Sequence, residues 1–306
     1  MVLVTGGAGY IGVMLMRRLL EDGHMVRCVD LNADALPSSF SLIGLPNRYE
    51  TFVGDVRDSS LLGRAMEGVD AVVHLAAVVG YPACDADPDR ARSINMGGTK
   101  AVVDAAPPGI PFVLASTCSV YGRSLREVSR ETDPISPLTC YGWTKAQSEE
   151  MVLKRRGVVL RAVTAYGFSP RFRWDLLVHT LLRESFEKRH VKLFDAHAVR
   201  PFVYVEDFVR ALSFAVDNYS KMSGKIFNVG SDESTLTKLE LAQRIAGLTA
   251  LTIELDAIGS DPDGRNYRVS FERIAAHGFR TSWLFNDGLR ATYFKARSLW
   301  SAELPA

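Results

Sequence analysis

The first twelve residues, MVLVTGGAGYIG, constrain this chain most. Val2-Leu3-Val4 is an apolar run suited to a buried parallel strand. Thr5 to Gly12 then spaces three glycines as Gly6-x-x-Gly9-x-x-Gly12, and Ile11, Leu15 and Leu19 follow at helical spacing before Gly23. Strand, glycine turn and helix are the context of a dinucleotide-binding fingerprint. Gly6 makes the tight turn, Gly9 admits a pyrophosphate to the backbone, and Gly12 lets helix and strand pack closely. The helix start at Tyr10 and Ile11 turns free N–H groups and a partial positive charge toward phosphate. A second strand signal, residues 25–29, ends at Asp30. A carboxylate there suits the two hydroxyls of an adenosine ribose and repels a 2′-phosphate, so NAD is expected rather than NADP.

The 306 residues suffice for one large domain or a domain with a substantial lobe. With 47% apolar and 23% charged residues the chain reads as an ordinary globular protein. A net charge of +1 offers no basic field for nucleic acid or anionic lipid. No run of about 18 apolar residues predicts a membrane span. The chain starts inside its first strand, so no secretory signal is expected. Cys28, Cys84, Cys118 and Cys140 form no C-x-x-C pair, which suits a reducing cytoplasm. The histidines show no ligand spacing, and no metal is expected.

Strand and helix signals alternate through the first half, predicting an α/β fold with a doubly wound parallel sheet of the Rossmann type. The third strand, 49–54, leads into Gly54-Asp55-Val56, where Asp55 can bond an adenine amino group and Val56 can pack on the ring. The fourth, 71–75, ends at Leu75-Ala76-Ala77, whose small residues let the backbone approach a cofactor; His74 within it reads as a core histidine. Residues 78–89 read as a loop at the strand's carboxyl end, where ligands bind in such sheets. Tyr81 and Cys84 are candidate substrate contacts there. A long helix is predicted from 88 to about 106, carrying Asn95. The fifth strand, 112–115, runs into Ser116-Thr117-Cys118-Ser119. Tyr141 and Lys145 lie four apart on a predicted helix, so phenol and ammonium share a face. A free tyrosine ionises at about pH 10, too high for a base at neutrality. A neighbouring ammonium favours phenolate and lowers that value. Lys145 can also hold a ribose, and Thr117 can orient a substrate oxygen.

These pieces, with Asn95 and Gly98-Thr99, Val120-Tyr121-Gly122, Arg161 with Tyr166-Gly167, Arg200-Pro-Phe-Val-Tyr-Val-x-Asp207 and Phe227-Asn228-Val229-Gly230, run in order over most of the chain. The chain thereby resembles the extended short-chain dehydrogenase/reductase family, specifically its NAD-dependent nucleotide-sugar epimerase/dehydratase group. The resemblance implies a catalytic set of Thr117, Tyr141 and Lys145. It implies NAD held by the glycine turn, Asp30, Asp55, Val56, Leu75, Ala76, Ala77 and Asn95, with Tyr141 and Lys145 at the nicotinamide end. It further implies a dinucleotide domain over 1–168, to which 200–230 returns, and a smaller mixed α/β substrate lobe over 169–199 and 231–306. Arg200 matches an arginine that sits on the substrate's diphosphate in relatives, and Arg265 lies where relatives place further contacts. Relatives also pair as homodimers, through the helix near 90–106 and the helix of Tyr141.

Two departures bear on the reaction. Relatives that dehydrate a 4-keto sugar carry Asp-Glu directly after the catalytic Thr; here Cys118 and Ser119 stand there as substrate-facing candidates, which argues against dehydration. His179, on a helix predicted over 174–187, matches a His that the GDP-fucose synthases use with a nearby Cys to exchange protons beside a keto group. It is a candidate catalytic or substrate-binding residue. The expected activity is epimerisation of a nucleotide-linked sugar by transient oxidation at C4 and hydride return. The alternative is reduction of a 4-keto nucleotide sugar, with or without 3,5-epimerisation. A dehydrogenase of a non-sugar alcohol and a non-catalytic NAD-binding protein are more distant readings.

Overall fold

The computed structural model describes residues 1–36, 48–122, 126–256 and 266–303. In chain order its strands are β1 (Val2–Thr5), β2 (Val26–Asp30), β3 (Tyr49–Val53), β4 (Ala71–His74), β5 (Phe112–Thr117), β6 (Val128–Ser129) and β7 (Val158–Ala162). There follow β8 (Thr164–Tyr166), β9 (His190–Phe194), β10 (Val199–Tyr204), β11 (Ile226–Val229), β12 (Thr235–Thr237), β13 (Thr252–Asp256) and β14 (Arg268–Val269). The first helices are α1 (Tyr10–Glu21), α2 (Ser59–Ala65), α3 (Tyr81–Ala86), α4 (Pro88–Arg92), α5 (Thr99–Ala105) and α6 (Cys140–Lys154). The rest are α7 (Leu177–Glu187), α8 (Val205–Asp217), α9 (Tyr219–Met222), α10 (Lys238–Ala246), α11 (Glu272–Ala276) and α12 (Phe285–Glu303).

Seven strands form one parallel sheet in the order β11-β7-β5-β4-β1-β2-β3. The chain builds outward from β1 to β3, then crosses back to place β4 on the other side of β1. The direction of winding therefore reverses between β1 and β4, and in such sheets a ligand crevice opens at the strands' carboxyl ends there. Every residue of β1 and β4 is buried, which explains the apolar runs Val2-Leu3-Val4 and Ala71-Val72-Val73; the polar ends Thr5 and His74 bond each other. Alternate residues face opposite layers. Val4 joins Leu15, Leu19, Phe208 and Leu212 of α1 and α8, while Leu3 joins Leu61, Leu62, Val102 and Val152 of α2, α5 and α6.

A third core gathers Tyr166, Leu182, Phe202, Leu241 and Phe285 from β8, α7, β10, α10 and α12. It underlies the sheet β12-β10-β8 and the parallel pair β13-β9. None of the described helices is long and apolar enough to cross a membrane.

Three local readings are corrected. The expected single helix over 88–106 is interrupted by a π-helical turn at Ser93–Gly98, a wide turn that makes room for inward polar side chains. The expected loop 78–89 contains α3, opened by Gly80 at φ +93 with Pro82 in its first turn. The helix expected from 174 starts at Leu177, because residues 168–176 form an irregular link carrying site residues.

Candidate active site

The cleft at the reversal point has a volume of about 880 Å³ and runs from the glycine turn to the third core. Its floor begins at Gly6, Gly9, Tyr10, Ile11 and Gly12. Gly6 has φ +74, and a Cβ there would lie 2.7 Å from the Ala76 backbone nitrogen, so the turn and the end of β4 can approach only without a side chain. A Cβ on Gly12 would stand 2.1 Å from the Gly6 carbonyl. Gly9 caps α1 with no side-chain acceptor, and no acidic residue occupies the first turn. The helix start is thus left open to an anion. Asp30 is held by Ala8 N–H at 3.1 Å and Asn32 N–H at 2.9 Å, with its carboxylate in the cleft.

Asp55 and Val56 line the same end. Arg57 claims much of the Asp55 carboxylate, donating from Nη2 at 2.6 Å and from Nε at 2.9 Å. Those bonds hold the carboxyl below its ordinary range. Leu75, Ala76 and Ala77 form the wall.

The reactive side chains converge at the far wall. Thr117 ends β5, and its hydroxyl accepts from Ser119 N–H at 3.1 Å and donates to the Ser119 hydroxyl at 3.0 Å. Tyr141 and Lys145 project from α6, whose start is capped by Thr139 accepting from Gly142 N–H. Thr117, Ser119, Tyr141 and Lys145 all line the cleft. Lys145 is 3% exposed, and burial pushes its ammonium down to about 8, with Glu149 acting in the opposite direction. Among the described residues no protein group hydrogen-bonds that ammonium, which faces the cleft.

Several expected contacts lie elsewhere. Asn95 stands behind the wall at 1% exposure. It accepts from Val78 N–H at 2.7 Å and donates to the Val78 carbonyl and to the Thr144 hydroxyl, each at 3.0 Å. It clamps the wall to α6. Cys84 is buried and donates to the Val78 carbonyl at 3.3 Å. Cys118 is turned the other way, donating to the Arg161 carbonyl at 3.3 Å. Neither thiol lines the cleft.

His179 also lies outside it, fully buried. Its Nε2 accepts from Gly167 N–H at 3.0 Å, so Nδ1 carries the proton and donates to the Arg173 carbonyl at 2.7 Å. Both ring nitrogens are used, and the ring stacks on Phe172 at 4.3 Å. Burial pulls its titration down to about 4. The reading of His179 as a proton carrier is therefore corrected: it is a neutral brace. Tyr10 belongs to the same brace, its hydroxyl donating to the Gly167 carbonyl at 2.8 Å.

His74 is the core residue expected, bonded to Thr5 at 2.6 Å and Thr99 at 3.0 Å. Tyr81 and Arg200 line the cleft, Arg200 at only 2% exposure. Arg265 lies outside the described residues. Among the described residues no group of three or more His, Cys, Asp or Glu side chains could hold a metal ion.

The cleft also holds Arg173, Asp175 and Thr164, which sequence reasoning missed. Arg173 pairs with Asp175, Nε donating at 3.0 Å, and interacts electrostatically with the Tyr141 and Tyr10 phenols. The alternating Arg171-Phe172-Arg173, just before the helix expected from 174, was the available signal. Among the described residues the buried Thr164 hydroxyl has no hydrogen-bond partner.

A fold wound about a glycine turn, with threonine, tyrosine and lysine at its crevice, defines a short-chain dehydrogenase/reductase enzyme. Residues 2–230 match the NAD dependent epimerase/dehydratase family, and the chain belongs to it. It is 31% identical to an uncharacterized UDP-glucose epimerase, YtcB, of Bacillus subtilis, over 99% of each chain. It is 31% identical to a dTDP-glucose 4,6-dehydratase of Streptomyces griseus, over 100% of this chain and 97% of that one. Among solved structures it resembles a UDP-glucuronic acid 4-epimerase of Bacillus cereus in complex with UDP-glucuronic acid and NAD. That likeness has a TM-score of 0.86 at 25% identity and covers 97% of this chain and 99% of the other.

NAD is the cofactor of the family, and the residues present fit it. The uncapped helix start faces the crevice, the glycine turn keeps Cβ atoms out of the floor, the Asp30 carboxylate would meet an adenosine ribose, and the Lys145 ammonium is buried facing the space.

Proposed function

We propose that this enzyme epimerises a nucleotide-linked sugar at C4 through transient oxidation. The observation that carries this reading is the composition of the far wall. Thr117, Tyr141 and Lys145 are present, while the two positions after Thr117 are Cys118 and Ser119. The carboxylates that line the cleft among the described residues are Asp30 and Asp55 at the adenosine end and Asp175, which is bound to Arg173. Among the described residues no carboxyl pair stands ready to remove water, unlike the acid and base that dehydration needs.

NAD, held by the glycine turn, Asp30 and Lys145, would supply the acceptor and donor of the hydride. Tyr141, as phenolate, takes the proton of the sugar hydroxyl, and Lys145 and Arg173 supply the positive field that favours that anion. Thr117 orients the same oxygen. Arg200, buried at the lobe side, pairs with the substrate's diphosphate and lets the sugar turn while the nucleotide stays fixed. Return of the hydride to the opposite face of the keto sugar inverts C4, and Tyr141 restores the proton. The alternative with 3,5-epimerisation needs a proton carrier beside the carbonyl, and His179, Cys84 and Cys118 are all engaged outside the cleft.

The test is a panel of UDP-, dTDP-, GDP- and CDP-hexoses and hexuronic acids with the enzyme and NAD, followed by product chromatography and NADH absorbance. The reading expects a C4 epimer with no net NADH formed or consumed. A 4-keto-6-deoxy product, or one NADH consumed per product from a 4-keto sugar, overturns it.

A further inference from the structure

Beneath the reactive wall lies a buried network whose charged members, Glu149 and Arg161, do not line the cleft. Glu149 sits one helical turn beyond Lys145 on α6 and is 2% exposed. Its carboxylate accepts from Arg161 of β7, Nη2 at 2.7 Å and Nε at 3.0 Å. It also accepts from the Ser116 hydroxyl, on the residue preceding Thr117. Arg161 is itself 2% exposed and lies 4.9 Å from the centre of the Tyr121 ring. Tyr121 in turn donates to Asn228 of β11 at 2.7 Å. One carboxylate thus ties the helix of Tyr141 and Lys145 to the strand end of Thr117.

The surroundings of Lys145 make that carboxylate matter. A buried ammonium without a hydrogen bond loses its proton readily unless a negative charge is near. Besides the Tyr141 phenol, one turn back on α6, the titratable groups coupled to it are His74 of β4 and Cys84 of α3. Both are uncharged at neutrality, His74 titrating at about 3 and Cys84 at about 11 through burial. Arg161, facing from β7, is engaged by Glu149. Glu149 is the carboxylate that acts on Lys145 while the Tyr141 phenol is protonated.

We propose that Glu149 is a positioning residue of the reaction: from one turn away it keeps the Lys145 ammonium charged, and through Ser116 it fixes Thr117 against α6. This rests on the roles proposed above for Thr117, Tyr141 and Lys145. A purely structural Arg161–Glu149 pair would stabilise the sheet and leave the Lys145 charge unchanged.

The test reads that charge directly and needs no substrate. The full chain with NAD, carrying 13C at lysine Cε, is titrated by NMR, with the Lys145 signal assigned by its loss in Lys145→Arg. In Glu149→Gln the Lys145 midpoint should fall by about one pH unit or more, and Glu149→Asp should recover most of it. Glu149→Gln leaves a buried guanidinium unpaired, a costly state. The same titration is therefore also read in Glu149→Gln/Arg161→Met, which removes both charges and should show a downward shift in the same direction but smaller, because loss of the guanidinium favours the ammonium. An unchanged Lys145 midpoint in either folded variant overturns the proposal, whether or not the enzyme proves to be an epimerase. On a substrate found by the panel, Ser116→Ala should lower kcat about tenfold with KM little changed. Full kcat in Ser116→Ala would overturn the second half of the claim.

Discussion

Tyr141 is the residue on which the chemistry converges. Replacing it with Phe removes one hydroxyl from the cleft and leaves α6 and its cap intact. Turnover should drop by about 10²–10⁴, while NAD affinity, read by calorimetry, stays within a few-fold. Near-normal turnover would remove the phenol from the mechanism. His179 belongs to a different category, and pH separates the two. Its folded-state titration lies at about 4 against an ordinary 6.5, so the unfolded chain binds more protons between those values. Stability is therefore whole above pH 6.5 and falls as pH drops toward 4, by about 3 kcal/mol from this residue. His74, held at about 3 by burial, adds in the same direction. Denaturant unfolding of His179→Gln should show a shallower loss between pH 6.5 and 4 than the parent. An identical slope would mean that the ring is not the neutral brace described.

The turn between β1 and α1 and the helix α6 show what sequence reads well and badly. The glycine spacing was legible because it answers a local steric demand. Gly12→Ala places a methyl against the Gly6 carbonyl, so it should cost about 3 kcal/mol and abolish measurable NAD binding by thermal shift; unchanged binding would mean the turn opens freely. The face of α6 was legible only in part. Tyr141 and Lys145 announced themselves by their spacing, but Thr144, Lys145, Ser148 and Glu149 are all buried polar residues, so no apolar stripe marks the inner side. Their partners, Asn95, Ser116 and Arg161, lie far apart in sequence. Spacing along one helix cannot show them. Cys118, a substrate-facing candidate from the sequence, points away from the cleft; likeness to relatives suggested a reactive His179, and burial with both nitrogens bonded decided otherwise.

Across the molecule, the crevice works because two kinds of surface meet there. The carboxyl edge of the seven-stranded sheet presents backbone and small side chains, suited to a dinucleotide. The lobe side presents Arg173, Arg200 and Thr164, suited to an anionic, hydroxylated ligand. The reversal of strand order fixed the first surface and could be foreseen from the alternation of strands and helices. The second depends on the irregular link before α7 and on β10, whose contributions have no periodic signature. The central claim is that one hydride leaves the sugar's C4 and returns to it inside this crevice. The most direct measurement is mass spectrometry and NMR of the product formed from a nucleotide sugar carrying deuterium at C4, in ordinary water with NAD. The account predicts that both epimers retain the deuterium at C4, with none found at C3 or C5 and none lost to water. Loss of the label, or its accumulation in released NADH, would contradict it.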